Sequence, residues 1–442
     1  MTLFGTDGIR GEAGRPPLDV ATVARVGAAL ARVSGAATPR VLIGRDTRES
    51  GPELEAALTR GVASQGGSVV SLGVVPTPAV AYLTRSEGFN LGIVISASHN
   101  PFHDNGLKVF SGAGEKFSGA QEQGIEHMVA DASWQVPDGV AVPGTDAELT
   151  AHYVAHLQQI LGHAGPLAGA RLVVDCAHGA TTTIAPALFS ALGFDVMAIG
   201  VAPNGRNINQ GCGSTAMEAL QTAVVQSGAR LGVAFDGDGD RALFVDHHGH
   251  RVDGDAVMLI CADQLRRESA LPGGAIVATV MSNIGLEIAL RERGVDLVRC
   301  PVGDKYVMEE MLKRGLALGG EQSGHVIFAS HLFTGDGIAT ALHVLRAMIE
   351  TGHELATLAA MLTSYPQVLV NVRVRERTDV SKVPAVAAAM RDVEHRLAGH
   401  GRLLVRYSGT EPLLRIMLEG RDHAEIHAWA DEIAHAVRTT LA

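Results

Sequence analysis

One rhythm recurs three times along this chain. Short apolar runs alternate with helical stretches, and in each round one run empties into a loop of glycine and polar side chains. The first round holds Arg40 to Gly44, Ser68 to Gly73 and Leu91 to Ile95, after a helical face of Val20, Val23, Val26 and Leu30. The second holds Arg171 to Cys176, Phe194 to Gly200 and Arg230 to Phe235, and the third Ala275 to Val280, Val295 to Cys300 and Leu316 to Gly319. Runs this short and this continuously apolar read as strands covered on both faces. Alternating with helices, they imply βαβ units around largely parallel sheets. Ligands of such sheets sit beyond the carboxyl ends of the strands. The loops Ser96-Ala-Ser-His-Asn-Pro101, Asp236-Gly-Asp-Gly-Asp-Arg241 and Gly320-Glu-Gln-Ser-Gly-His325 are therefore expected to face one central cleft.

The carboxy-terminal stretch breaks the rhythm. Val368, Val370, Val372 and Val374 alternate as in a half-buried strand. Val386, Met390, Val393 and Leu397 share a helical face, as do Ile426, Trp429, Ile433 and Val437; strands Leu403 to Tyr407 and Leu413 to Leu418 flank a turn between them. The expected fold class is α/β: three mixed α/β domains at 1–155, 156–254 and 255–366, and a smaller α+β domain at 367–442, with Tyr365-Pro366 at the junction.

With 46% apolar residues in 442, the chain has material for several cores, which excludes disorder as its main state. Its four cysteines are scattered without a CxxC pair, and no run of eighteen apolar residues occurs. The amino-terminal residues carry no signal-peptide pattern, so a cytoplasmic protein without a membrane span is expected. A net charge of −11 argues against nucleic acid as a partner, though a few focused arginines can still hold a small anion.

Asp236, Asp238 and Asp240 alternate with glycines that let the backbone bend. Carboxylates this close repel unless a cation neutralises them, and oxygen-only ligation favours Mg²⁺ or Ca²⁺. An EF-hand is excluded, because Arg241 stands where its glycine belongs and His247 where its glutamate belongs. A solvated acidic turn is the plainer reading. Arg241 beside a metal would suit a shared phosphate. Ser98 is the candidate nucleophile, in a turn with His99 and Asn100; a strand-ending turn is the ordinary alternative, and Ser96 is a rival hydroxyl that spacing does not exclude. No G-x-S-x-G elbow and no P-loop is present. Arg406-Tyr-Ser-Gly-Thr-Glu411 with Arg415 combines hydroxyls, a glycine and guanidiniums suited to a phosphate monoester, or forms a plain hairpin turn. Arg10 in its glycine-rich loop, like Arg45 and Arg48, is read from spacing alone as a structural ion pair.

Five strings in order, GTDGIRG at 5–11, ISASHNP at 95–101, DGDGDR at 236–241, GGEQSGH at 319–325 and RYSGTEP at 406–412, resemble the α-D-phosphohexomutases nearly end to end. The resemblance implies that Ser98, rather than Ser96, is a phosphoserine. It implies one Mg²⁺ per chain on Asp236, Asp238 and Asp240, with a phosphate oxygen at Ser98 completing the set. Glu321 and Ser323 match the sugar loop. Arg406, Ser408, Gly409, Thr410 and Arg415 match the loop for the distal phosphate, in which Tyr407 replaces a frequent proline. Arg10, Lys108 and His325 match positions tied to proton transfer or charge stabilisation, with His99 and Arg241 beside the serine and the metal. Asp304, the Glu321-Gln-Ser323 triplet, Asn207 to Gly213 and Val174 to Gly179 resemble the branch acting on glucosamine phosphates. The implied reaction interconverts glucosamine 6-phosphate and glucosamine 1-phosphate through glucosamine 1,6-bisphosphate, toward UDP-N-acetylglucosamine. The alternatives are a preference for glucose or mannose phosphates, or a magnesium-dependent sugar-phosphate phosphatase. The resemblance leaves room for a homodimer.

Overall fold

The computed structural model describes residues 3–5, 7–131, 136–137, 143–397, 399–408 and 412–441. They fall into two compact units, residues 1–281 with 294–361, and residues 282–293 with 362–442.

The larger unit contains three sheets built on one plan. In the first, Leu91–Ile95, Arg40–Arg45 and Ser68–Val74 run parallel. In the second, Leu231–Phe235, Arg171–Asp175 and Asp195–Ile199 do so. In the third, Leu318–Gly320, Ala275–Thr279 and Asp296–Cys300 repeat the arrangement. Leu91–Ile95, Leu231–Phe235 and Ala275–Thr279 are buried at every residue, as strands covered on both faces must be.

Each parallel trio gains an antiparallel neighbour at one edge. Leu91–Ile95 turns back into Asp104–Ser111, Leu231–Phe235 into Ala242–Asp246, and Leu318–Gly320 into Val326–Phe328. The three polar loops singled out in the sequence are the turns of these hairpins, so they occupy equivalent places in three equivalent sheets. Strands Gly8–Glu12 and Phe4–Gly5 extend the first sheet, again antiparallel, and bring Arg10 opposite Gly106. The sheets are thus mixed around parallel centres.

Helix Val20–Val33, capped by Asp19, packs on helix Gly51–Ser64 over the first sheet. Helix Gly337–Thr351 starts at Asp336, whose carboxylate accepts from Ala339 N at 2.9 Å and from the Tyr153 hydroxyl at 2.8 Å. No helix among the described residues is long and apolar enough to cross a membrane.

In the smaller unit, strands Gln367–Arg373, Leu413–Glu419 and Arg402–Tyr407 form an antiparallel sheet with Leu413–Glu419 at its centre. Helices Pro384–Leu397 and His423–Leu441 cover it, with Val386, Val393, Ile426, Ile433 and Val437 in the core. Helix Ile284–Glu292 belongs to this unit. Its first amide donates to buried Glu419 at 3.1 Å, and Arg402 pairs with the same carboxylate at 2.9 Å.

Candidate active site

Strand Leu91–Ile95 delivers Ser98 into a turn where its backbone adopts φ +51°, in the left-handed region that residues other than glycine and asparagine seldom enter. Its Oγ donates to Asp236 Oδ2 at 2.5 Å and lies 3.3 Å from His99 Nδ1. Ser96 does something else. Its hydroxyl donates to Asp46 at 2.6 Å and accepts from Ser98 N at 2.9 Å. Arg48, fully buried, pairs with Asp46 at 2.8 Å and donates to the carbonyls of Ser98 and Asn100, both at 2.9 Å. Arg45 pairs with Glu55 at 3.0 Å. Both arginines are structural ions, and one of them shapes the serine turn.

Asp236, Asp238 and Asp240 are buried, and one carboxylate oxygen from each lies within 4.8 Å of the others. Lys108 reaches Asp240 at 2.6 Å, Asp238 at 2.8 Å and Asp7 at 3.3 Å. Burial alone would depress the lysine's pKa, but these carboxylates outweigh it and hold the ammonium well above its ordinary value. Burial, then the charges of Asp240 and Asp238, push Asp236 well up. Asp240 goes the other way: burial would raise it, yet Lys108, His325 and Arg241 together pull it down. Oδ1 of Asp238 and Oδ1 of Asp240 are buried with no hydrogen-bond partner among the described residues, while Thr77 donates to Asp238 Oδ2 at 2.5 Å. Oxygen-only donors with lone pairs unused fit a small hard cation such as Mg²⁺.

Arg241 Nη1 lies 3.3 Å from His99 Nδ1, and its Nε sits 4.0 Å from Asp236 and 3.9 Å from Asp240. Burial, with the charges of Arg241 and Arg10, lowers the His99 pKa and keeps that imidazole neutral near pH 7. Arg10 pairs with Asp7. The third loop meets the second at a β-bridge between Arg241 and His325, and His325 Nε2 lies 3.2 Å from Asp304. Burial opposes charging of His325, but Asp304 and Asp240 prevail and raise its pKa. Glu321 is nearly buried and accepts from Gly303 N at 3.1 Å; Ser323 is exposed. A cavity of about 370 Å³ opens beside the serine turn, bounded by His99, Phe102, His103, Arg206 and Asn209.

The larger unit thus brings together Ser98, His99, the three aspartates, Arg241, Lys108, Arg10 and His325, with Glu321 on the adjoining loop. In the smaller unit Arg406 and Arg415 stand directly opposite each other across the central strand pair. Arg415 Nη2 lies 3.4 Å from Ser408 Oγ, and the Ser408 carbonyl accepts from Arg377 at 2.7 Å. Tyr407 donates its hydroxyl to Thr378 O at 2.5 Å. Gly409 and Thr410 lie outside the described residues.

Sequence reasoning did not single out Asp7, Lys116, Thr77 or Asn209. Asp7 shares the GTDGIRG string with Arg10. Lys116 pairs with Asp7 at 2.6 Å and with Asp304, from a stretch with no motif. Thr77 lies among prolines and carries no signal at all.

Repeated sheet-and-loop units thus set a buried hydroxyl against a metal-competent carboxylate trio. Family models for phosphoglucomutase/phosphomannomutase match in order: alpha/beta/alpha domain I at residues 1–136, domain II at 151–249, domain III at 253–365 and the C-terminal domain at 369–436. The phosphoglucosamine mutase of Geobacter sp. (strain M21) is 46% identical, with 99% of this chain and 98% of that protein covered. The phosphoglucosamine mutase of Solibacter usitatus is 48% identical, with 99% of each covered. Among solved structures, a phosphoglucomutase/phosphomannomutase family protein of Burkholderia thailandensis superposes with TM-score 0.81 at 25% identity, covering 99% of this chain and 97% of that one. The N-acetylphosphoglucosamine mutase of Aspergillus fumigatus, solved with GlcNAc-6P and magnesium, gives 0.66 at 18% identity over 99% and 95%, and shares the fold. The chain belongs to the phosphoglucomutase/phosphomannomutase family, and its activity is that of an isomerase that transfers phosphoryl groups.

Proposed function

We propose that the protein is a phosphoglucosamine mutase that interconverts glucosamine 6-phosphate and glucosamine 1-phosphate, with Ser98 as phosphoryl carrier. Full-length relatives of that activity at 46% and 48% identity support the substrate. The carrier role rests on one observation, Ser98 Oγ held 2.5 Å from Asp236 at the edge of the carboxylate trio. One Mg²⁺ on Asp236, Asp238 and Asp240, with a phosphoserine oxygen, would neutralise charge on the moving phosphoryl group.

In the forward half-reaction the bond from phosphorus to Ser98 Oγ breaks and a bond to the free sugar hydroxyl forms. The hydroxyl's proton leaves and the serine oxygen regains one, giving enzyme-bound glucosamine 1,6-bisphosphate. The bisphosphate turns end for end and returns its other phosphate to Ser98. Lys108 and Arg10 supply fixed positive charge, Arg241 and His99 flank the transferring group, and His325 is the buried imidazole available to carry a proton. Glu321 and Ser323 would take sugar hydroxyls. Arg406, Ser408, Gly409, Thr410 and Arg415 would take the distal phosphate, a role that guanidiniums, hydroxyls and a glycine suit.

Intact-mass analysis is expected to find a phosphorylated fraction mapping to Ser98, and Ser98→Ala to abolish mutase turnover; full activity in that variant removes the carrier role. Turnover of glucosamine 1-phosphate should exceed that of glucose 1-phosphate when both are given catalytic bisphosphate. Free phosphate released in step with substrate loss would mean a phosphatase instead.

A further inference from the structure

The carbonyl of Ser98 is held as deliberately as its hydroxyl. Two side chains donate to it, Arg48 Nη2 and Asn209 Nδ2, each at 2.9 Å. Asn209 spends the other proton of the same amide on the Asn100 carbonyl at 3.1 Å, so both its donors serve the serine turn. The two anchors differ in origin. Arg48 follows a strand of the first sheet, the sheet that also carries Ser98, so it fixes the shape of the turn without fixing its distance to the aspartates. Asn209 comes from the second sheet's part of the chain, where the aspartates are.

Asn209 is itself well fastened. Its backbone, at φ +60°, is in a region that asparagine tolerates, and its N–H donates to Ala177 O at 2.9 Å. Buried Asp175 then ties this segment to the Ala177 turn, accepting from Gly213 N at 2.7 Å and from Ala177 N at 2.9 Å. The metal loop presses on the same point. A Cβ on Gly237 would lie 2.5 Å from Ser98 O and 2.9 Å from Asn209 Nδ2, so only glycine fits there.

We propose that Asn209 is a positioning residue for the phosphoryl carrier: its amide locks the Ser98 peptide to the second sheet's loops and so sets the distance from Ser98 Oγ to Asp236. This rests on the phosphoryl-transfer reading above. Displacing a reacting group by about 1 Å can cost on the order of a hundredfold in rate.

Asn209→Asp keeps the shape but sets a carboxylate oxygen against two carbonyls, and Asn209→Ala removes the amide. Single-turnover transfer from phospho-Ser98, normalised to the phosphoserine present, is expected to fall about 10- to 100-fold in both, with KM changed by about twofold at most. A transfer rate per phosphoserine within about twofold of wild type, with only the melting temperature lowered, would overturn the proposal, since fold support alone gives that pattern. Should wild-type Ser98 never carry phosphate, the mutase reading fails separately. A crystal structure of Asn209→Ala then decides: a changed Ser98 Oγ–Asp236 distance sustains the positioning role, and an unchanged distance ends it.

Discussion

Lys108 is 2% exposed, yet its ammonium has carboxylates of Asp240, Asp238 and Asp7 within 3.3 Å. Breaking a buried charge cluster by removing one partner typically costs about 3–5 kcal/mol, because the remaining charges are left uncompensated. A divalent cation on the trio would offset part of that loss. Lys108→Met is therefore expected to melt well below wild type in EDTA and to recover more than wild type gains when Mg²⁺ is added. Thermal denaturation of both proteins with and without magnesium checks this. Equal magnesium increments would show that Lys108 and the cation answer to different carboxylates. Ser96 and Ser98 make a related point. Both hydroxyls are buried two residues apart, but one is spent on Asp46 and the other on Asp236, a difference that no spacing argument contains.

Close approach of backbones decides stability among the elements. Helix Gly51–Ser64 lies so near helix Val20–Val33 that a Cβ on Gly61 would stand 2.0 Å from Ala24 O and 2.7 Å from Ala28 N. Alanine is the better helix former by about 0.8–1 kcal/mol. Overpacking against backbone costs about 1–3 kcal/mol or more, so the clash wins. Gly61→Ala is expected to lower the melting temperature. Gly124→Ala, in helix Gly119–Ala130 with open space around it, should raise stability by up to about 1 kcal/mol. If both variants gain stability, the two helices have room to part. The parallel strands were legible because burial on both faces leaves a continuous apolar run such as Leu91–Ile95. The antiparallel strand Asp104–Ser111 was not, since Asp104, Asn105 and Lys108 interrupt its apolar pattern to reach Asn100, Ser50 and Asp240.

Over the whole chain, the repeated sheet plan and its three loops could be read from sequence because each loop ends an apolar run. The imidazole cluster between the first and third sheets' surroundings could not, since it is made of single histidines far apart in the chain. Tyr82 stacks on His156 at 4.1 Å, His156 meets His331 edge-on at 5.4 Å, and His343 stacks on Phe328 at 4.0 Å. The Nε2 atoms of His331 and His343 are 3.0 Å apart, so one imidazole must donate and the other accept, and the two cannot both be charged. Burial, then His331 and Arg346, depress His343 to about 3; burial, then His156, Arg346 and Arg85, depress His331 to about 4. A folded pKa below the unfolded one gives stability that is complete above about pH 6.5 and is lost as pH falls toward the folded value. For His343 alone the loss is on the order of 1 kcal/mol by pH 5.5. Burial raises Asp336 to about 6, which acts oppositely: its contribution grows as pH falls through that value and offsets part of the loss. The melting temperature of the wild-type protein is expected to drop between pH 7.5 and pH 5.5. His343→Gln, which keeps a hydrogen-bonding group but cannot titrate, should drop distinctly less over the same interval. Parallel pH profiles for the two proteins would place the acid sensitivity elsewhere than in this imidazole pair.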